Sequence, residues 1–295
     1  MNRLFFSLAL FSTAALAQVS AVDSSGKRIA LAAPAQRIVS LAPHVTELLF
    51  AAGAGAKVVA VSEYSDYPET AKALPRVASS SSVDLERVLA LRADLAVAWR
   101  LSATSQSLDR LQAIGVPVFY SEPHRLSEIP DAVETLGILA GTQDAARPAA
   151  AALRAELERL HADYRGRRVL KVFYQISERP LMTVSGQHFL SDVLSLCGGR
   201  NLFADAPHIA PTVNAEAVLA ADPEVIIAAR GDSENTGWQD YWKRFPDIRA
   251  VRDGNFITVR ASEMHRHGPR VFAATRRLCE QLEQARRRAG PPRRP

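Results

Sequence analysis

The sequence predicts an α/β protein of two similar lobes, each built on a parallel sheet, joined by a single long helix. Three observations carry this. Two stretches repeat one another at a constant offset of 130 residues: Val83 to Ala90 followed by Asp94 to Ala98, and Val213 to Ala220 followed by Glu224 to Ala228. In each copy a short polar residue precedes an apolar-periodic helix that leads into a buried strand. Short apolar runs alternate with helical segments along most of the chain, the rhythm of βαβ units with parallel pairing. One Ala-rich segment, Asp144 to Tyr164, breaks that rhythm midway.

The chain opens with a basic Met1-Asn2-Arg3, an apolar run from Leu4 to Ala14 and a small-x-small Ala15-Leu16-Ala17. That is the pattern of a signal peptide over 1–17, too short for a membrane span. No Cys follows the cleavage site, so no lipid anchor is expected. No other apolar run reaches roughly 18 residues, so the mature chain is expected to be soluble, in the periplasm. A polar segment follows, with a hairpin at Ser24-Ser25-Gly26-Lys27.

The N-terminal lobe is placed at 37–143. Its strands are read at Arg37 to Leu41, Val58 to Ser62, Leu95 to Trp99 and, fourth, Val116 to Tyr120. Its helices are His44 to Ala52, stopped by Gly53, the one following Asp84, and Thr104 to Ile114, stopped by Gly115. The linker is 144–166. About 21 helical residues span roughly 30 Å, the width of a small domain. Pro148 is read near its first turn, where a missing N–H does no harm. The C-terminal lobe, 167–286, has strands at Leu170 to Ile176, Val225 to Ala229 and Phe256 to Val259. Its helices are Leu190 to Leu196, the repeat after Asn214, and Pro269 to about Arg286.

Charge excludes one class of partner. Of 36 Lys and Arg, five arginines fall in the last ten residues and one in the leader. The remaining body carries 30 basic against 31 acidic residues, so nucleic-acid binding is not supported. The Pro/Gly/Arg tail, 287–295, reads as disordered. Two cysteines, Cys197 and Cys279, in an exported chain favour a disulfide over two buried thiols.

Candidate ligand contacts are the aromatic and polar residues at strand ends, because pockets in parallel sheets open at the carboxyl ends of the strands. His44 follows the first strand, Tyr64 and Tyr67 the second, and Trp99 and Arg100 close the third. Tyr174 and Gln175 end the first C-lobe strand, and His265-Arg266-His267 precedes the last helix. No Cys-x-x-Cys or His-Glu-x-x-His spacing points to a metal, and no nucleophile elbow, P-loop or dinucleotide fingerprint points to an enzyme. Asp84 and Asn214 are N-caps. Glu86 and Glu216 then stand in the first turn, favoured there by the helix dipole. Their identical offset equally fits a docking pair for basic residues on a two-fold symmetric partner.

Five motifs then carry a resemblance: Ile38-Val39-Ser40-Leu41-Ala42-Pro43-His44-Val45-Thr46-Glu47-Leu48, Tyr64-Ser65-Asp66-Tyr67-Pro68, Asp84-Leu85-Glu86-Arg87, Ala98-Trp99-Arg100 and Cys197-Gly198-Gly199-Arg200-Asn201-Leu202-Phe203. From about Arg37 to Glu283 the chain resembles the periplasmic cobalamin-binding proteins of ABC importers, in the class that also captures haem and iron–siderophores. The resemblance implies the class III periplasmic binding protein fold, two Rossmann-like lobes with the ligand between them. It implies no enzyme activity and no cofactor, a monomer, and delivery of cobalamin or a related corrinoid to an inner-membrane permease dimer. Haem or a ferric siderophore is the alternative ligand, with Tyr64 as an axial oxygen for haem. The resemblance further implies that Glu86 and Glu216 meet permease arginines, that Cys197 and Cys279 form a disulfide, and that Tyr64 and Trp99 pack against the corrin. His44, Arg100, Tyr174 and Arg266 complete the expected ligand set. The chain departs from those relatives in two places. Ala78-Ser79-Ser80-Ser81-Ser82 stands where they often carry a Trp, and His208-Ile209-Ala210-Pro211 where they carry a second aromatic.

Overall fold

The structure is a computed structural model and describes residues 18–100, 104–231 and 237–289. The expected signal peptide and the last six residues lie outside the described residues. The N-terminal lobe begins earlier than expected, with the hairpin β1 (Val19–Val22) and β2 (Arg28–Leu31) turning at Gly26. The hairpin buries Ala21, Ile29 and Leu31, and Ser24 N–H bonds Tyr120 O, so it belongs to this lobe. Then come β3 (Ile38–Ser40), α1 (Pro43–Ala51), β4 (Val58–Ser62), β5 (Arg76–Ala78), α2 (Leu85–Ala90), β6 (Leu95–Ala98), α3 (Ser105–Ala113), β7 (Val118–Tyr120) and α4 (Glu128–Ala140).

The five strands pair in parallel in the order β5-β4-β3-β6-β7. The sequence expectation of four strands misses β5, whose three residues lie between Pro75 and a serine run and are too short to show a period. It also leaves α4 unassigned. Burial of β3 and β6 on both faces explains their continuous apolar character.

The linker is α5 (Gln143–Tyr164). It packs on α4 and α1 in one lobe and on α6 (Phe189–Leu196) and α11 (Arg270–Ala289) in the other. Small residues bring α4 and α5 close: a Cβ added at Gly137 would stand 2.3 Å from Ala146 Cβ. Pro148 is the sixth helical residue, one place deeper than expected and past the first turn, and lies on the exposed side.

The C-terminal lobe contains β8 (Leu170–Gln175), the short hairpin β9 (Ser177–Glu178) and β10 (Leu181–Met182), α6, β11 (Gly199–Asn201), α7 (Ala215–Ala221), β12 (Val225–Arg230), α8 (Trp238–Lys243), α9 (Arg249–Arg252), β13 (Phe256–Arg260), α10 (Ala261–Met264) and α11. Its sheet is parallel in the order β11-β8-β12-β13. Cys197 and Cys279 form a disulfide that ties the end of α6 to α11. Helix α11 runs past the expected end of the lobe: Arg286 caps the carbonyls of Arg168, Cys197 and Gly198, and Arg288 bonds Asn255. Partnered acceptors therefore order residues that the sequence reading assigned to the tail.

The repeat is structural. Asp84 accepts from Arg87 N–H at 2.9 Å and Asn214 from Ala217 N–H at 2.8 Å, so both caps form. Both helices are followed by a left-handed residue at the same offset, Arg92 and Asp222. The registers match as well. Ala96 pairs with Val39 and Val118, and its counterpart Ile226 pairs with Phe173 and Phe256.

Candidate functional site

The carboxyl ends of the two sheets face one another, and a group of rings closes the seam between them. His44 lies in the first turn of α1 directly after β3, and Trp99 directly follows β6. From the other lobe come His188 and Phe189 at the start of α6 and His267 just before α11. The His44 ring centroid is 5.8 Å from Trp99 and 5.7 Å from His267, and Trp99 is 6.2 Å from His267. Phe189 meets His267 edge-on at 4.3 Å, and His188 lies 6.5 Å away. The cluster therefore bridges the lobes.

His44, Trp99 and His188 each have a second support. His44 is 6% exposed and its Nε2–H donates to Ser121 O at 3.2 Å. Burial outweighs that bond and, with the Arg266 charge, holds its pKa down at about 4. Trp99 Nε1–H donates to the buried Glu122 carboxylate at 3.2 Å. His188 caps α6, its Nδ1 accepting from Leu190 N–H at 3.2 Å, and burial lowers its pKa to about 4. His267 is lowered to about 3, first by burial and then by the neighbouring imidazoles. The rings are thus neutral at physiological pH and present an apolar, polarisable surface.

Beside this floor, charges cross the seam. Glu47 on α1, with its side chain 1% exposed, receives Arg270 at 2.6 Å and Arg266 at 3.3 Å from the other lobe. Arg266 also pairs with Asp66 and donates to Tyr64 O at 2.9 Å. Burial alone raises the Asp66 carboxyl, but the Arg266 bond and charge bring it below its usual range. Arg270 lies 4.5 Å over the Tyr67 ring, a cation–π contact. Tyr64 has φ 60°, a conformation costly for a bulky L-residue, and is 74% exposed. Its loop is pinned by a buried hydroxyl chain: Ser40 to Thr46 at 2.7 Å, Thr46 to Ser65 at 3.0 Å and Ser65 to Ser62 at 3.1 Å. The strained turn holds the phenol out at the cleft rim.

The expected residues therefore divide. His44 and Trp99 line the floor, while Tyr64 and Arg100 are exposed at the carboxyl edge of the N-lobe sheet. Arg266 stands at the seam within the charge network. Tyr174, expected at the ligand, is instead fully buried inside the C-lobe, its hydroxyl 3.1 Å from His265 Nε2. Strand β8 is covered on both faces, so Tyr174 packs in the core and supports His265 rather than offering a surface. Next to it, a pocket of about 480 Å³ is walled by Gln175, Arg179, Trp238, Tyr241 and Arg244. Sequence reasoning did not select Glu47, His188 or Phe189. Glu47 had a signal, a carboxylate on the apolar face of α1; the other two are assembled only by the fold.

Glu86 and Glu216 are exposed in the first turns of α2 and α7, and neither makes an ion pair with a described residue. Ser79 to Ser82 form an exposed turn before α2, closed by Ser79 N–H to Ser82 O at 2.8 Å. Before α7, Ile209 and Pro211 accept backbone bonds from Ser185 and Thr183. Among the described residues no group of three or more His, Cys, Asp or Glu is placed to hold a metal ion. No described helix is long and apolar enough to cross a membrane.

A model of the periplasmic binding protein family matches residues 38–262. The chain is 37% identical to the vitamin B12-binding protein of Vibrio campbellii over 98% of this chain and 99% of that one. It is 38% identical to the vitamin B12-binding protein of Photorhabdus laumondii over 83% of this chain and 87% of that one. Among solved structures, the periplasmic vitamin B12 binding protein BtuF of Vibrio cholerae superposes with a TM-score of 0.79 at 37% identity, covering 85% and 98% of the two chains. A periplasmic haem-binding protein of Pseudomonas aeruginosa gives a TM-score of 0.72 at 25% identity, covering 83% and 91%.

Proposed function

The chain belongs to the periplasmic binding protein family, and from that premise we propose that it captures cobalamin between its lobes and delivers it to an ABC permease. The observation that supports this best is the ring-lined seam at the facing carboxyl edges of two parallel sheets. It occurs in a chain similar over nearly its full length to vitamin B12-binding proteins. A corrin is broad and largely apolar with an amide fringe. Trp99, Tyr64 and the neutral imidazoles suit its face, and Arg100 and Arg266 suit its amides. Haem is the second ligand to consider, since haem-binding proteins share the fold, but their identity to this chain is lower.

The protein carries cargo and performs no turnover. It acts as a monomer in the periplasm, exported by residues 1–17. Glu86 and Glu216, exposed on matched helices and without an ion pair among the described residues, meet arginines on the two halves of a permease dimer. Uptake tests the reading. Cells deleted for this protein should take up little labelled cobalamin at nanomolar supply and recover with the intact gene. Uptake unaffected by the deletion would refute it.

A further inference from the structure

Two rings of the seam, His44 and Trp99, hang from one short segment. Ser121 and Glu122 directly follow β7, and both are buried. Ser121 O accepts from His44 at 3.2 Å, and Glu122 Oε1 accepts from Trp99 Nε1–H at 3.2 Å. Held in this way, the two rings stand edge to face with an interplanar angle of 89°. The segment is itself braced. On one side Ser121 N–H donates to Ala98 O at 2.9 Å, directly before Trp99. On the other stands the turn between β1 and β2. Ser24 N–H donates to Tyr120 O at 2.9 Å, Ser24 Oγ accepts from Glu122 N–H at 2.8 Å, and Asp23 Oδ2 accepts from Tyr120 N–H at 3.4 Å. The other oxygen of the buried Asp23 gathers the N–H groups of Ser25 and Lys27, which closes the turn on itself. This hairpin lies outside residues 38–262, the span that the family model matches.

Resting on the cobalamin reading above, we infer that Glu122 is a positioning residue for the ligand, braced by the β1–β2 turn, and that it raises affinity by fixing the plane of Trp99 before the ligand arrives. Glu122 is buried and has little surface of its own to offer, so it acts through the indole. The reason is torsional. The outer torsion of a Trp side chain has broad wells, and Trp99 is only half-buried, so packing covers part of its ring. One hydrogen bond at the far end of the indole removes that freedom. A side chain ordered in advance avoids the ordering cost that a free one meets on binding. The same plane sets the contact across the lobes, since Trp99 lies 6.2 Å from His267. Ser24 and Asp23 hold the backbone on either side of Ser121, so the hairpin contributes to binding through Glu122.

The test is a double-mutant cycle read by calorimetric titration of the purified protein with cyanocobalamin: Glu122→Leu and Trp99→Phe, singly and together, with Glu122→Gln alongside. Phe keeps a ring and has no N–H to donate. Glu122→Leu should weaken binding about three- to tenfold in the otherwise unaltered protein and less than about twofold on Trp99→Phe. Glu122→Gln, which keeps an acceptor oxygen, should retain most of the affinity. Indole N–H resonances supply the second readout. The chain has three Trp, and Trp238 and Trp242 donate to Thr258 and Gln175 in the other lobe. The Trp99 resonance alone should move in Glu122→Leu and return in Glu122→Gln. Ser24→Ala, at the exposed turn, removes the brace without touching the core, and it should move the same resonance and weaken binding in the same direction even if Glu122→Leu does not fold. An unmoved resonance with unchanged affinity in Ser24→Ala would overturn the role of the turn. Equal losses from Glu122→Leu in both backgrounds, or Glu122→Gln binding as weakly as Glu122→Leu, would overturn the inference and leave the cobalamin reading standing. Failure of the unaltered protein to bind cyanocobalamin would overturn that reading and this inference with it.

Discussion

At the scale of residues, the site is made by side chains whose backbone positions are unusual or whose burial is compensated. Tyr64 holds a left-handed conformation because Arg266 and a hydroxyl chain fix its turn, and Trp99 is oriented by Glu122. Replacing Tyr64 and Trp99 by Ala should weaken cobalamin binding at least about tenfold, or about 1.4 kcal/mol. Calorimetry giving unchanged affinity would remove them from the site. The imidazoles add a pH dependence. His44, His188 and His265 sit at about 4 and His267 at about 3, all lowered first by burial from an ordinary 6.5. Below 6.5 the unfolded chain binds protons that the folded one refuses. Stability is therefore full above pH 6.5 and lost progressively as pH falls toward 4. The apparent Tm should drop across that window, and His44→Asn, which takes up no proton, should make the drop shallower.

At the scale of elements, the repeat was the most legible feature. Two capped helices at a fixed offset read directly from Asp84 and Asn214, and the structure extends the match to Arg92 and Asp222 and to the strand registers. Where the reading fell short, local signal was weak or was overridden. Strand β5 is three residues long, and α11 outlasts its expected end because Arg286 and Arg288 find acceptors on neighbouring elements. Tyr174 shows a different limit. Position at a strand end does not say whether either face is open, and β8 is covered on both. The ring floor was only half legible, since His188 and Phe189 are brought to Trp99 by topology rather than by spacing. The docking role belongs to this scale. Glu86→Lys combined with Glu216→Lys should abolish cobalamin uptake in cells while calorimetry on the purified protein still detects binding. Persisting uptake would remove these helices from the permease contact.

At the scale of the whole molecule, one helix and one seam join the lobes. Helix α5 packs on both lobes, and the disulfide closes a separation of 82 residues within the C-lobe, contributing up to about 4–5 kcal/mol by loop entropy. Across the seam, Glu47 neutralises two guanidiniums. Glu47→Gln removes the buried anion that both arginines share and leaves the more exposed Asp66 as their remaining carboxylate, and should lower stability by about 3 kcal/mol in urea melts. A change within about 0.5 kcal/mol would show that solvent screens the pair and that the tie is weak. A calorimetric titration of the purified protein with cyanocobalamin, with haem in parallel, decides whether the seam is a cobalamin site. One-to-one binding of cobalamin, with haem much weaker, is the expected result. Tight haem binding with no heat from cobalamin would contradict it.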